Sequence, residues 1–321
     1  MAAPTVIIHS GALGDLALFL GLILRLPRAA EQPLRLVSRV GLGQLHEARP
    51  RIDAYSTESL GIHRLFADGA LAVDPVLLEL VGGARVLHNL GDSASLPHRR
   101  LVADSAAAGV FGIDTRCRGG CAHITAQWEA DLNQQGLLLE RCIAHCGART
   151  TLRLGDAHRL RGRQVCEQTG IEAEPIVIHI GSGGAAKRWP IASFADVAMA
   201  LVRQGQPCVI AAGPVERECV SAEEIERLHA IAPFVWIDHA EELLAWAGVA
   251  RLWIGNDAGP SHVAALLGTP TATLFGPTSA TRWRPLGTAA HYRQGRASAG
   301  SDWGLRADEL GRWVAGIVSE A

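Results

Sequence analysis

Three stretches bring together the residue types with which a protein can hold an anion or move a proton. The first is Gly11-Ala12-Leu13-Gly14-Asp15. Its glycines permit a tight turn, and Asp15 stands where an apolar helix begins. That carboxylate could cap backbone N–H groups or serve as a general base. The second is "HIGSGGAAKRWP", His179 to Pro190. Gly181, Ser182, Gly183 and Gly184 form a loop that can turn backbone N–H groups toward a phosphate, with Lys187 and Arg188 supplying positive charge. The alternative is a solvated basic loop with Trp189 as a core plug. The third is "WIGNDAGPSHVAALLGTPTATLFGPT", Trp253 to Thr278. Asn256, Asp257, Ala258 and Gly259 make a turn, and Pro260 suits a first helical turn. N–H groups around Gly259, with the helix dipole, favour an anion. Ala258 offers no hydroxyl, so the backbone must do the binding. Asp257 reads as a cap or as an acceptor for ligand hydroxyls. His262 reads as a donor to the anion or as a buried core histidine.

These stretches need strands to end beside them and helices to start from them. "TVIIH" reads as a strand before the first stretch, and an apolar helix runs from about Asp15. "LRLVSRVGLGQLHEA" repeats the strand-turn-helix order, and "ARVLHNLG" and "RRLVADSA" read as further strands. The order is clearer in the second half. "PIVIHIG", "PCVIAAG", "RLWIGN" and "TATLFGP" are strands; "FADVAMALVRQG", "ELLAWAGVA" and "PSHVAALLG" are helices, and "ERECVSAEEIERLHAIAP" is mainly helix. Strands alternating with helices imply parallel pairing. The fold class is therefore α/β, with two Rossmann-like domains. Their extents are 1–170 and 171–305, and an amphipathic helix closes the chain at 306–321. Ligands in such sheets lie beyond the carboxyl ends of the strands.

The bulk properties fit. A chain of 321 residues, 48% hydrophobic and 19% charged, can fill two cores and argues against disorder. A formal net charge of −2 gives no field for a nucleic-acid partner. No secretory signal is expected, and the apolar run from Leu16 meets Arg25 too soon to span a membrane. A cytoplasmic protein is the expectation, with at most peripheral contact at the inner face of the cytoplasmic membrane. Seven cysteines are then reduced thiols. Cys117/Cys121 and Cys142/Cys146 are spaced as metal ligands can be, yet their setting reads as ordinary loop and helix, and unligated thiols are expected. A Walker loop is excluded, and neither glycine loop has the full dinucleotide fingerprint.

Together "GALGDLALFL", "HIGSGGAAKRWPIASFADVA" and "GNDAGPSHVAALLGTPTATLFGPTSATRWRP" resemble the three motifs of glycosyltransferase family 9, the ADP-heptose:lipopolysaccharide heptosyltransferases. The resemblance is weakest from about residue 30 to 170, where the family binds its acceptor. It implies a GT-B fold, with two sheets facing across a cleft and the C-terminal helix crossing back onto the first domain. It implies an inverting, metal-independent transfer of a sugar, with no cofactor, from a nucleotide donor such as ADP-heptose to a glycan or lipid-linked glycan such as the lipopolysaccharide core. Asp15 falls on the family's base. The donor contacts it implies are Ser182, Gly183, Lys187, Arg188, Glu216, Asp257, Ala258, Gly259 and His262, with Asp257 near sugar hydroxyls and Gly259 near the phosphates. The chain departs from the family at Ala258, where a Ser or Thr is frequent, and at Gly21, where a Pro is frequent. A nucleotide-sugar epimerase and a silent nucleotide-sugar binder remain as alternatives. The first would consume donor without an acceptor.

Overall fold

The computed structural model describes residues 3–26, 32–40, 42–43, 45, 47–67, 71–119, 123–137, 139, 151–171 and 173–320. The chain divides into two compact units, Met1–Ala144 and His145–Ala321.

Unit 1 begins with β1 (Thr5–His9), a run of five buried residues in which Ile7 and Ile8 are wholly enclosed. Helix α1 (Leu13–Ile23) follows, then β2 (Leu34–Ser38) and β3 (Ile52–Ser56). The segment after β2 was expected to continue as a helix. It returns instead to the sheet edge, where Leu45 bridges Ile52. After α2 (Pro75–Val81) come β4 (Arg85–His88) and α3 (Leu96–Asp104). "RRLVADSA", expected as a strand, lies in α3 and the residues just after it. Ser95 caps that helix by accepting from the His98 N–H, and Pro97 sits in its first turn. These start signals outweigh the β-like look of the apolar pair. β5 (Gly109–Gly112) and α4 (Ile124–Gln134) complete the described elements. The sheet order is β3-β2-β1-β4-β5 and every pairing is parallel.

Unit 2 opens with α5 (Asp156–Gln168), followed by β6 (Ile176–His179), α6 (Ile191–Arg203), β7 (Cys208–Ala212), α7 (Ala222–His229), β8 (Phe234–Trp236) and α8 (Ala240–Val249). Then come β9 (Leu252–Asn256), α9 (Gly259–Leu266), β10 (Thr271–Phe275), α10 (Ala280–Trp283), β11 (Ala290–Gln294) and α11 (Ala307–Glu320). Its order is β11-β10-β9-β6-β7-β8, again all parallel. Gly205, with φ 74°, ends α6 as expected.

Helix α5 was assigned to the first half, with a boundary at residue 170. It packs on α8 of unit 2: a Cβ on Gly162 would stand 2.8 Å from the Ala245 carbonyl. The helix is polar over most of its length, so one glycine and the buried Cys166 carry its packing. The terminal helix α11 buries Leu310, Val314, Ile317 and Val318 in the core that holds Trp189, Phe194 and Leu201. These positions line one helical stripe, each contributing roughly 1.5–3 kcal/mol of gross burial. That apolar face packs within unit 2. Among the described residues no helix is long and apolar enough to cross a membrane.

Candidate functional site

In each sheet the strand order reverses at one place, and crossover helices leave a crevice there at the carboxyl ends. In unit 2 the reversal lies between β6 and β9, the strands that lead into the second and third stretches. Residues some 70 positions apart in sequence therefore meet.

Asp257 is the centre of this meeting. It follows β9, so it receives one partner from beyond each neighbouring strand. Lys187, after β6, places Nζ 3.0 Å from Oδ2. Thr278, after β10, donates its hydroxyl to the same oxygen at 2.6 Å. His262, one turn into α9, places Nε2 3.2 Å from Oδ1. Burial alone would push the Asp257 carboxyl up. The His262 hydrogen bond and charge, then Thr278 and Lys187, outweigh it and hold the group at about 2. Because the carboxylate accepts, Nε2 of His262 carries the proton. Its Nδ1 is buried with no partner. It can therefore donate to an anion only when the ring takes a second proton.

Asn256 joins the two loops. It is wholly buried, and its amide donates to the carbonyls of Ile180 and Gly181 at 2.9 and 3.2 Å. Its Oδ1 accepts the Trp189 N–H at 3.0 Å. At the head of α9, Ser261 and His262 give their N–H groups to the Ala258 carbonyl, and Pro260 has none. Ala258 and Gly259 are left as the backbone donors facing out of the helix start. Ala258 is the extended cap residue and makes no side-chain cap bond.

The second loop is held from below. Glu216, 3% exposed, accepts the N–H of Ser182 and of Gly213, each at 3.1 Å. A Cβ at position 181 would come within 2.2 Å of that carboxylate, so only glycine fits there. A Cβ on Gly183 would meet nothing. Arg188 turns inward: its Nε donates to the Ser182 carbonyl at 3.0 Å, and an Nη reaches Cys219 Sγ at 2.8 Å. Of the two cations expected to face an anion, Lys187 stands at the helix start beside Asp257, while Arg188 is engaged in shaping the loop.

Unit 1 has its own reversal, between β1 and β4. Asn89, just after β4, accepts the Ser10 N–H at 2.8 Å and so fixes the turn after β1. Gly11 lies over His9, whose Cε1 would be 2.9 Å from an added Cβ. Burial lowers the His9 ring to about 4. His88 Nε2 is 3.0 Å from His98 Nδ1, and burial, with His98 adding, lowers His88 to about 3. Asp15 lies half-buried in the first turn of α1. The cap position belongs to Ala12, so Asp15 is not the cap residue.

Asn256, Thr278 and Asn89 are the holders that sequence reasoning passed over. Asn256 and Thr278 lie inside the third stretch and Asn89 inside "ARVLHNLG", but only the strand order reveals their partners. Of the cysteine pairs, Cys117 is exposed, and Cys121, Cys142 and Cys146 lie outside the described residues.

Comparison with known proteins gives a consistent set. The sequence profile of glycosyltransferase family 9 (heptosyltransferase) matches residues 147–299. The chain is similar to lipopolysaccharide heptosyltransferase 3 of Escherichia coli, 31% identical over 139 residues, which is 42% of this chain and 41% of that protein. The matched region thus spans about two fifths of that relative. Over nearly the whole chain, the fold resembles a glycosyl transferase family 9 protein from Veillonella parvula, with TM-score 0.72, 20% identity and coverage of 98% and 97%. It also resembles an E. coli heptosyltransferase solved with ADP, with TM-score 0.65, 16% identity and coverage of 98% and 99%. At these identities the likeness shows the fold, a GT-B pair of Rossmann-like units.

Proposed function

We propose that this chain acts as a member of glycosyltransferase family 9, whose profile matches residues 147–299, and that it transfers a sugar, heptose from ADP-heptose, to a glycan of the lipopolysaccharide-core type. The observation that carries this reading is the meeting of Lys187, Asp257, Thr278 and His262 at the start of α9. Breaking the bond between a sugar and a nucleoside diphosphate leaves negative charge on the departing phosphate. Lys187, the N–H groups of Ala258 and Gly259 and the helix dipole oppose that charge without a metal. Asp257 keeps Lys187 and His262 in place and offers its remaining acceptor capacity to a sugar hydroxyl. Ser182, Gly183, Arg188 and Glu216 shape the loop that meets the nucleotide.

In this scheme Asp15 takes the proton of the acceptor hydroxyl as its oxygen attacks the anomeric carbon. The bond to the diphosphate breaks on the opposite face, so configuration inverts. Proton and leaving group part to different residues, and the nucleoside diphosphate departs as the anion.

The test is an assay of ADP-heptose with truncated lipopolysaccharide core, read by mass spectrometry, with and without excess chelator. Transfer that survives chelation supports the reading. Donor consumed without acceptor would favour an epimerase, and no turnover with tight ADP binding a silent binder. Gly259→Val places a branched side chain where a phosphate must approach the backbone. It is expected to abolish measurable ADP binding in a titration while the protein stays folded. Unchanged ADP affinity would move the cradle elsewhere.

A further inference from the structure

We infer that unit 2 carries a second ligand site, at the amino-terminal edge of its sheet, suited to an amphiphilic anion in which a phosphate is joined to a hydrocarbon group. A cavity of about 480 Å³ opens there. Its place follows from the connectivity. Glu174 leads into β6, Val249 into β9 and Thr269 into β10, and all three line it. The Lys187–Asp257 pair stands beyond the other ends of β6 and β9, so the two sites are separate.

The cavity has a charged rim and an apolar floor. Arg153, Arg159 and Arg163 form the rim. Arg159 and Arg163 lie one turn apart on α5, a like-charge spacing that disfavours the helix. Among the described residues none of the three guanidiniums has a hydrogen-bond or ion-pair partner. Glu167 and Glu174 line the same cavity yet pair with none of them. Elsewhere on this unit Arg217, Arg227, Arg306 and Arg312 each hold a carboxylate. Three guanidiniums that no carboxylate pairs outnumber the two glutamates around one concavity and are a fitting host for a phosphate, which takes paired N–H donors from guanidinium groups.

The floor is Leu154, Ile171, Val249 and Leu267, with Cys166 buried beside them. Burial, with Glu167 and Glu174 adding, pushes the Cys166 thiol up to about 11. It therefore stays a thiol and behaves as a small apolar group, so the site binds rather than reacts. The hydroxyl of Thr269 is already given to the Ala247 carbonyl at 2.5 Å. A nucleobase would leave its polar edge unmatched on such a floor, whereas an acyl chain has no polar edge to match. The chemistry therefore favours a lipid phosphate over a nucleotide. It does not depend on the transferase reading.

The experiment is calorimetric titration of the full chain with dihexanoyl phosphatidic acid as monomers, dihexanoyl phosphatidylcholine and inorganic phosphate, each against ADP as a control. Saturable binding of phosphatidic acid is expected, at least tenfold tighter than inorganic phosphate, with phosphatidylcholine weaker still. Arg159→Gln with Arg163→Gln changes two exposed positions, and circular dichroism checks that the fold is kept. This double variant is expected to lose at least tenfold in phosphatidic acid affinity and nothing in ADP affinity. Equal binding of phosphatidic acid and inorganic phosphate would reduce the cavity to a bare phosphate site and overturn the inference. Unchanged lipid binding by the variant, or no saturable binding at all, would overturn it as well. Failure of ADP to bind while phosphatidic acid binds would sink the transferase reading and leave this one standing.

Discussion

The two units share one strand plan and line its crevice with different side chains. Each sheet reverses its order beside its first strand, and each places functional candidates at the carboxyl ends there. In unit 2 the reversal is polar, with Lys187 and His262 each against Asp257. In unit 1 it is floored by His9 and His88, which burial keeps neutral at physiological pH. The same backbone plan therefore gathers charged side chains at the strand ends of one unit and buried neutral histidines at those of the other. The strand order decides where a ligand sits, and the few side chains at the strand ends decide what it can be.

Removing the proton acceptor of unit 1 tests this contrast most severely. Asp15→Asn keeps the shape of the first turn and is expected to slow transfer by roughly 10²–10⁴-fold with little change in ADP affinity. Turnover near that of the wild type would leave unit 1 without a part in the chemistry.

Acid separates the two floors by pH. Above the ordinary histidine value both folded and unfolded chains hold His9 and His88 neutral. As pH falls from 6.5 toward 4 the unfolded chain takes protons that the folded one refuses, so stability drops. His9 alone accounts for on the order of 3 kcal/mol of this loss once pH passes below its folded value. Asp257 acts lower. Its stabilisation is full above about pH 4 and is lost as pH falls toward 2. Urea midpoints measured from pH 7 to 3 should show the histidine loss first, and His9→Asn should flatten it. A midpoint level from pH 7 to 5 would show that these rings are not held neutral.

On the charged side, Lys187→Ala tests the proposed charge-assisted contact to the phosphate. ADP affinity is expected to fall roughly 10–100-fold, while Asp257 retains His262 and Thr278. The smallest change expected comes from Ala258→Ser, which adds a hydroxyl beside Gly259. At most about tenfold tighter ADP binding is anticipated. A loss of affinity would mean that the phosphate does not lie over the head of α9.

Much of this arrangement was legible in the sequence because strand ends, glycine turns and helix starts are local signals. Asp257, His262 and Lys187 were identified from such signals, and the structure brings all three together. Arg188 was legible as a cation but not as one turned inward, since nothing local announces the Ser182 carbonyl as its partner. Asn256 acts on carbonyls 75 and 76 positions away, a distance that only parallel pairing of β6 with β9 closes. Helix α5 looked like a solvated boundary because its packing rests on Gly162, and the absence of a side chain leaves no apolar pattern. In "RRLVADSA" an apolar pair looks like a strand, but the Ser95 cap and Pro97 in the first turn start a helix before it.

The Asn256 bracket also has a kinetic meaning. A buried amide that ties the two carbonyls of one loop to the turn of another holds both before any ligand arrives. Nothing on the cradle then has to be ordered during encounter, and the cost of closing a flexible loop is absent from association. Nucleotide capture by this unit is therefore expected as a single phase whose observed rate climbs linearly with concentration, without the plateau of a loop that must close first.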